Sequence, residues 1–423
     1  MRDRLKTLAS RDANGRLSGI YSVCSAHPLV IEAALLQAAE DGTELLIEAT
    51  CNQVNQFGGY TGMQPADFVA FVQSIARRTG FPPERLIFGG DHLGPNPWRD
   101  KPAREAMALA EDLLRAYAEA GFEKLHLDAS MGCADDPPVL SDAVVAERAA
   151  ILCAAAEAVA PGRAVYVIGT EVPVPGGAAE ELESLQVTSV QAAEETLAIH
   201  EAAFKARQLQ AAWKQVIALV VQPGVEFDHT HVIDYRPERA NALSGFQRQQ
   251  SKVVFEAHST DYQRADLLQR LVQDGFAILK VGPGLTYALR EALFALELIE
   301  KELLEEGQRS HLRTIAEAEM IAHPRDWTQY YTGDPELLAR MRVYSYSDRI
   351  RYYWGRPEIV SAVEHLISNL DGASIPENMV GQFLPGRYQA YRRGEGALDA
   401  RSLLLGHVRE TIRPYAQACL ASP

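Results

Sequence analysis

The sequence predicts an α/β fold: a closed (β/α)8 TIM barrel with a helical insert and a helical C-terminal extension. Two observations carry this expectation. Eight short apolar runs alternate with amphipathic stretches through about the first 305 residues, and eight parallel strands close such a barrel. Each run also ends in polar or ionisable residues, as buried parallel strands do where they open onto a ligand-binding rim. An open doubly wound sheet would share the alternation. However, no GxGxxG follows the first run, which disfavours a dinucleotide-binding version of it.

The strands are expected at 20–24, 45–49, 86–88, 124–127, 164–168, 217–221, 253–255 and 276–281. Between them, 29–40, 66–78, 103–120, 143–158, 261–273 and 285–305 carry apolar residues three and four apart, the helical period. An Ala- and Glu-rich stretch at 180–215 reads as a helical insert between strands five and six. The barrel is expected to span 1–305, insert included. Residues 306–423 read as a mostly helical extension docked on it, because no Pro/Gly/Ser-rich linker separates the two. The extension contains Val343-Tyr344-Ser345-Tyr346-Ser347-Asp348-Arg349-Ile350-Arg351-Tyr352-Tyr353-Trp354. Its aromatics suit a packing seam, and its arginines suit an anion clamp.

Composition excludes several classes. A net charge of −15 argues against nucleic acid, whose phosphates need a basic face. No apolar run approaches the ~18 residues of a membrane span, and no apolar signal core follows Met1-Arg2-Asp3-Arg4-Leu5-Lys6. Five cysteines without CxxC spacing fit reduced thiols, hence a cytoplasmic protein. Cys24, Cys51 and Cys133 are expected as small buried residues near strand ends.

The strand ends hold the candidate chemistry. Asp91 and His92 follow the third run within Gly89-Gly90-Asp91-His92-Leu93-Gly94-Pro95, whose glycines and prolines are expected to stop the strand. His92, Glu171 and His258 fall at the ends of strands three, five and seven, where the plainer expectation is a salt bridge of Glu171 to Lys280 and a hydrogen bond of His258 to Glu256. Two imidazoles and a carboxylate with positions to spare suit a catalytic divalent metal, zinc first, with manganese, cobalt or nickel as alternatives. Asp91, Glu48 and Asp128 are the candidate proton carriers. Gly282-Pro283-Gly284-Leu285-Thr286 leads into a helix, and backbone N–H groups there suit a phosphate. Ser259, Thr260 and Thr286 would add hydroxyls. His27, Asn52, Gln222 and Lys280 complete the candidate substrate contacts, with Arg349 and Arg351 as a clamp from the extension.

Four stretches carry a family resemblance: 19–28, Glu48-Ala49-Thr50-Cys51-Asn52-Gln53-Val54-Asn55-Gln56, Gly90-Asp91-His92-Leu93-Gly94-Pro95, and the aromatic–arginine segment at 345–354. Together they resemble the non-catalytic subunit of class II D-tagatose-1,6-bisphosphate aldolase, whose members are also labelled tagatose-6-phosphate kinases. No GxxxxGK[ST] and no glycine-rich kinase loop supports the kinase label. More distantly the barrel is similar to catalytic class II aldolases, and the resemblance implies Asp91 as proton carrier with His92 and His258 on zinc. Gly169-Thr170-Glu171 stands where those enzymes have a second ligating histidine. Related proteins are associated with 4-epimerisation of ketohexoses and their 6-phosphates. Two functions follow as expectations. One is metal-dependent C3–C4 chemistry on a ketohexose or its phosphate. The other is a non-catalytic partner that stabilises a class II aldolase subunit. A homo-oligomer is expected in either case.

Overall fold

A computed structural model describes residues 2–170, 185–250 and 252–420. The strands are β1 (Ile20–Cys24), β2 (Leu45–Thr50), β3 (Leu86–Leu93), β4 (Lys124–Leu127), β5 (Val165–Ile168), β6 (Val216–Val220), β7 (Glu226–Phe227), β8 (Val232–Ile233), β9 (Val254–Ala257) and β10 (Ile278–Val281). β1 to β6, β9 and β10 form a closed, all-parallel barrel, sealed where Ile20 of β1 pairs with Ile278 of β10. β7 and β8 form a small antiparallel hairpin between β6 and β9.

Two apolar layers follow from the alternation of side chains along each strand. Ile20, Leu46, Ile87, Val165, Val167, Ile217, Val220, Val254 and Ile278 fill the barrel interior. Leu5 and Leu8, near the chain's start, join that cluster. A larger cluster packs the outer strand faces against the helices. The apolar interior is confined to one level of the barrel. Above it Glu48, Lys124, His126 and Glu256 are all fully buried, so the interior changes from oil to charge toward the strands' C-terminal ends.

The third strand departs from expectation. It runs to Leu93 instead of ending at Phe88. Gly89 and Gly90 are not turn residues here but clearance. A Cβ on Gly89 would lie 2.3 Å from Glu48 Oε1, and one on Gly90 would lie 2.5 Å from Leu93. The β3–β4 register then shifts between Gly90 and Leu93, and His92 takes a left-handed φ of 48°. Neighbouring residues in a regular strand face opposite ways, and a bulge re-aims one of them. Asp91 and His92 therefore both line the barrel mouth.

The expected insert at 180–215 lies in part outside the described residues. From Val190 on, it supplies a helix (Val190–Ala206) that packs on the helix Asp142–Val159 in the outer ring, as the connection of an ordinary βα unit does. Beyond β10 the chain is helical. Its last helix, Ala400–Cys419, packs on the helices Pro28–Asp41, Ala265–Gln273 and Pro283–Leu303. Tyr415 donates its hydroxyl to Thr260 O at 2.5 Å, and Gly19 N donates to Cys419 O. We propose a division near residue 305, with the extension closing one side of the barrel. Among the described residues no helix is long and apolar enough to cross a membrane.

Candidate active site at the barrel mouth

Three imidazoles meet above the charged layer. The rings of His92, His126 and His258 lie 4.9–5.3 Å apart, centroid to centroid. Each is fixed by a carboxylate. His92 Nδ1 lies 2.8 Å from Asp128 Oδ2, His126 Nδ1 3.0 Å from Asp91 Oδ1 and 3.2 Å from the backbone N of His92, and His258 Nε2 2.9 Å from Glu256 Oε1. A carboxylate behind an imidazole sets its tautomer and leaves the other ring nitrogen a lone pair, the usual outer shell of a metal-binding histidine. His126 Nε2 is buried and has no hydrogen-bond partner among the described residues. Burying such a nitrogen unpaired is costly unless something binds it.

Asp91, His126, Glu256 and His258 offer ligand atoms within 4.8 Å of one another, and Cys24, Glu48 and Asp91 form a second such group. Beneath them Lys124, fully buried, contacts Glu48 Oε1 at 2.6 Å and Glu256 Oε2 at 2.7 Å. Lys280 contacts Glu48 and, at 2.9 Å, Asp91 Oδ1. Four buried carboxylates (Glu48, Asp91, Asp128, Glu256) thus face two buried ammonium groups. Buried charge that is not compensated is expensive, and a divalent cation would balance the remainder. The donor set therefore fits a divalent metal.

The same imbalance sets the titration. Burial alone would raise Asp91, but the charge of His92 and the hydrogen bond from His126 outweigh it and hold the carboxyl well below the usual range. Burial would lower His92, yet Asp91 and Asp128 raise it to about 9. Glu256, disfavoured by burial, is brought down to about 2 by Lys124 and His258. His258 is lowered by burial, against the pull of Glu256.

The other expected residues divide. Asn52, Ser259, Lys280, Gly282 and Arg351 line the cavity with Asp91, His92 and His258. Glu171 lies outside the described residues. Glu48 sits beneath the cavity, with both oxygens bonded to lysines. His27 caps the helix Pro28–Asp41, its Nδ1 accepting from Leu29 N at 3.2 Å. Gln222 closes its own turn through Gly224 N and Val225 N. Thr260 donates to Lys280 O at 2.6 Å, and Thr286 donates to Asp348 Oδ2 at 2.6 Å. The amides of Gly282 and Gly284, expected to hold a phosphate, instead donate to Asp261 Oδ1 at 2.9 and 2.8 Å. Arg349 faces away from the cavity. Its guanidinium stacks over Tyr330 and donates to Asp326 O. The aromatic–arginine segment is thus a seam at Arg349 and a wall of the site at Arg351, where Tyr352 also packs on Tyr60 at 4.8 Å.

His126, Lys124 and Asp261 were not singled out from sequence; Glu256 was, as the hydrogen-bond partner of His258, and it is that partner here at 2.9 Å. A signal existed for the first two: Lys124, His126 and Asp128 alternate along one short strand and so share one face. His92, Ser259, Tyr262 and Asp348 all have left-handed φ values of 46–65°. Non-glycine residues rarely adopt them, and such strain gathers at functional sites.

Fold and site together define a (β/α)8 barrel protein with a histidine–carboxylate centre at the C-terminal mouth of its strands. The chain belongs to the family of D-tagatose-1,6-bisphosphate aldolase subunit GatZ/KbaZ-like proteins, whose model matches residues 5–420. It is 52% identical to a protein of known structure from Sinorhizobium meliloti 1021, described as a "probable tagatose 6 phosphate kinase"; the match covers 95% of this chain and 100% of that one, with a TM-score of 0.88. More distant are the fructuronate-tagaturonate epimerase UxaE from Cohnella laeviribosi (14% identity, 99% of this chain and 85% of that one, TM-score 0.49) and the fructose-bisphosphate aldolase from Campylobacter jejuni (15% identity, 87% and 90%, TM-score 0.46).

Proposed function

We propose that this protein is a metal-dependent enzyme acting at C3–C4 of a ketohexose or ketohexose phosphate such as D-tagatose or D-fructose 6-phosphate. The reaction is retro-aldol cleavage, or cleavage and rejoining that inverts C4. The observation that carries the proposal is the buried Nε2 of His126, which has no hydrogen-bond partner among the described residues and sits in a cluster of three histidines each beside a carboxylate. A scaffold would gain stability by replacing such a group. His92, His126 and His258 would hold the ion with Asp91 or Glu256 beside them, and Glu171 is proposed as a further ligand. When bound, the ion supplies Lewis acidity to the substrate carbonyl.

The chain's own residues do the rest. Asp91, ionised in the resting site, takes the C4-hydroxyl proton as the C3–C4 bond breaks. A ligating imidazole must be neutral. Binding would thus exchange the His92 charge for that of the ion, and a cation beside Asp91 would keep it ionised and ready to accept the proton. Lys280, 2.9 Å from Asp91, is placed to steady the same oxygen or a substrate hydroxyl. Returning the proton from Asp91 to the C4 oxygen, after the carbonyl fragment has turned its other face and C3–C4 has re-formed, gives the 4-epimer; protonation of the enolate at C3 and release of the halves gives cleavage.

The second reading is an accessory subunit that stabilises a separate class II aldolase. The word "subunit" in the family's description favours it. A kinase is disfavoured, since the sequence has neither a P-loop nor a glycine-rich kinase loop. Metal analysis of protein purified without chelator tests the first reading. We expect one divalent ion per chain, lost in His126→Ala. A wild-type protein that takes up neither Zn²⁺, Mn²⁺, Co²⁺ nor Ni²⁺ would defeat it.

A further inference from the structure

The extension places in the cavity one hydroxyl that the reaction above does not use. Tyr352 ends the short turn Arg349–Tyr352 and lines the cavity with Asp91, His92 and Lys280. The turn is pinned to the barrel. It follows Asp348, held at a left-handed φ of 46°, and Asp348 Oδ2 accepts from Thr286 of the helix Pro283–Leu303 at 2.6 Å. Two cations face the phenol. The guanidinium carbons of Arg351 and Arg349 lie 4.6 and 4.9 Å from its ring centre, and Arg351 Nη2 donates to its oxygen at 3.2 Å. Burial would raise the phenol, but Arg351 and Arg349 outweigh it, with Asp326 opposing them, and hold it below its ordinary value. The cavity's other proton carriers are engaged. Lys280 contacts Glu48 and Asp91, the Cys24 thiol faces the same two carboxylates, and Asp261 Oδ1 accepts from the amides of Gly282 and Gly284. Tyr352 also reaches a second space. With Tyr60 and Arg351 it lines a wider groove between barrel and extension, where Tyr60 and Val360 are exposed. A proton given up to the cavity can be replaced from that side.

We propose that Tyr352 is a catalytic acid supplied by the extension, whose phenolic O–H delivers the proton taken up at C3 when the halves separate. It thereby decides whether the reaction ends in cleavage or in 4-epimerisation. The enolate's electron pair forms the new C3–H bond, its C2–O bond returns to a carbonyl, and the O–H bond of Tyr352 breaks. Arg351 and Arg349 stabilise the phenolate that remains until solvent from the outer groove reprotonates it. Asp91 holds the C4-hydroxyl proton at that stage, so epimerisation and cleavage draw on different groups.

The proposal rests on the C3–C4 reading above, and two measurements separate their fates. The first is deuterium uptake from D₂O into dihydroxyacetone and its phosphate, the reverse of that protonation, by the metal-loaded chain. It is read by proton NMR beside the epimer formed and the triose released from the ketohexoses. Tyr352→Phe, which keeps the ring and its contact with Tyr60, should lose about 10²-fold or more of the exchange, and its ratio of epimer to triose should rise. Exchange that survives in Tyr352→Phe with that ratio unchanged would overturn the proposal and leave the reading standing. So would a wild type that epimerises without any exchange. A wild type inert in every assay would defeat the reading and the proposal with it. The second measurement needs no turnover. In an ultraviolet pH titration of metal-free protein, the first phenol to ionise should disappear in Tyr352→Phe and move up in Arg351→Met. An unchanged first step in either variant would overturn the proposal.

Discussion

The cavity has two sides built on opposite rules. On the β3, β4 and β9 side, imidazoles and carboxylates are crowded together, and His126 Nε2 has no hydrogen-bond partner among the described residues. On the β10 side, the groups that sequence reading assigns to a ligand are already satisfied by the protein: two glycine amides by Asp261, Thr260 by a carbonyl, Thr286 by Asp348. Both sides are polar and buried, so composition does not distinguish them. What separates them is whether the hydrogen-bond inventory closes. An open inventory among compensating charges marks where chemistry or an ion is accommodated; a closed one sets shape and selectivity.

The comparison breaks most visibly at Asp91. Asp91→Asn keeps the shape but removes the base, so with the metal ion supplied in excess turnover should fall on the order of 10²–10⁴-fold, the usual cost of losing a general base. Turnover within a few-fold of wild type would remove Asp91 from the chemistry. Lys124 comes next. Lys124→Met removes the ammonium between Glu48 and Glu256 and leaves the first to Lys280 and the second to His258 in a buried interior. Removing one partner of a buried ion pair costs about 3–5 kcal/mol, so denaturant unfolding should move to a much lower midpoint. A shift within error would show that water or protons compensate the acids.

A smaller effect sharpens the open side. Asp128→Asn weakens the support behind His92, and outer-shell losses of this kind lower metal affinity about 10–100-fold. Competition with a chromogenic chelator measures it, and unchanged affinity would mean that His92 does not ligate. The smallest effect separates the sides by pH. Asp261 and His92 each hold a proton more tightly folded than unfolded, so each contributes stability that is lost as pH rises. For Asp261 the loss falls between 3.8 and about 6; for His92, in metal-free protein, between 6.5 and about 9. Relative to wild type, the thermal midpoint of Asp261→Asn should lose less across the lower window and that of Asp128→Asn less across the upper. A wild-type slope in the matching window would refute the assignment for that residue.

Much of this architecture is written plainly in the chain. All eight barrel strands lie where short apolar runs end in polar residues, because a parallel strand buried on both faces has no other way to read. Their ends shift by a few residues at most, except β3, where glycine signals a turn in sequence but serves as clearance for Glu48 in space. Asp91, His92 and His258 were legible because they stand at strand ends. His126 and Lys124 were missed: their alternation with Asp128 shows a shared face, but in a strand only four residues long such a face is expected to meet water. Their burial depends on partners supplied by β2, β3 and β9, and pairing across a barrel is invisible to a one-dimensional reading. Asp261 was missed for the same reason. Nothing local shows that its carboxylate reaches the amides of a loop some twenty residues on.

The most direct measurement is interconversion of D-fructose with D-tagatose, and of their 6-phosphates, by the isolated protein, followed alongside triose release before and after chelation. The account predicts turnover by the metal-loaded chain alone, abolished by chelator and restored by the ion. A chain that binds its ion, turns over neither sugar nor sugar phosphate, and yet raises the activity of a separate class II aldolase subunit would contradict it.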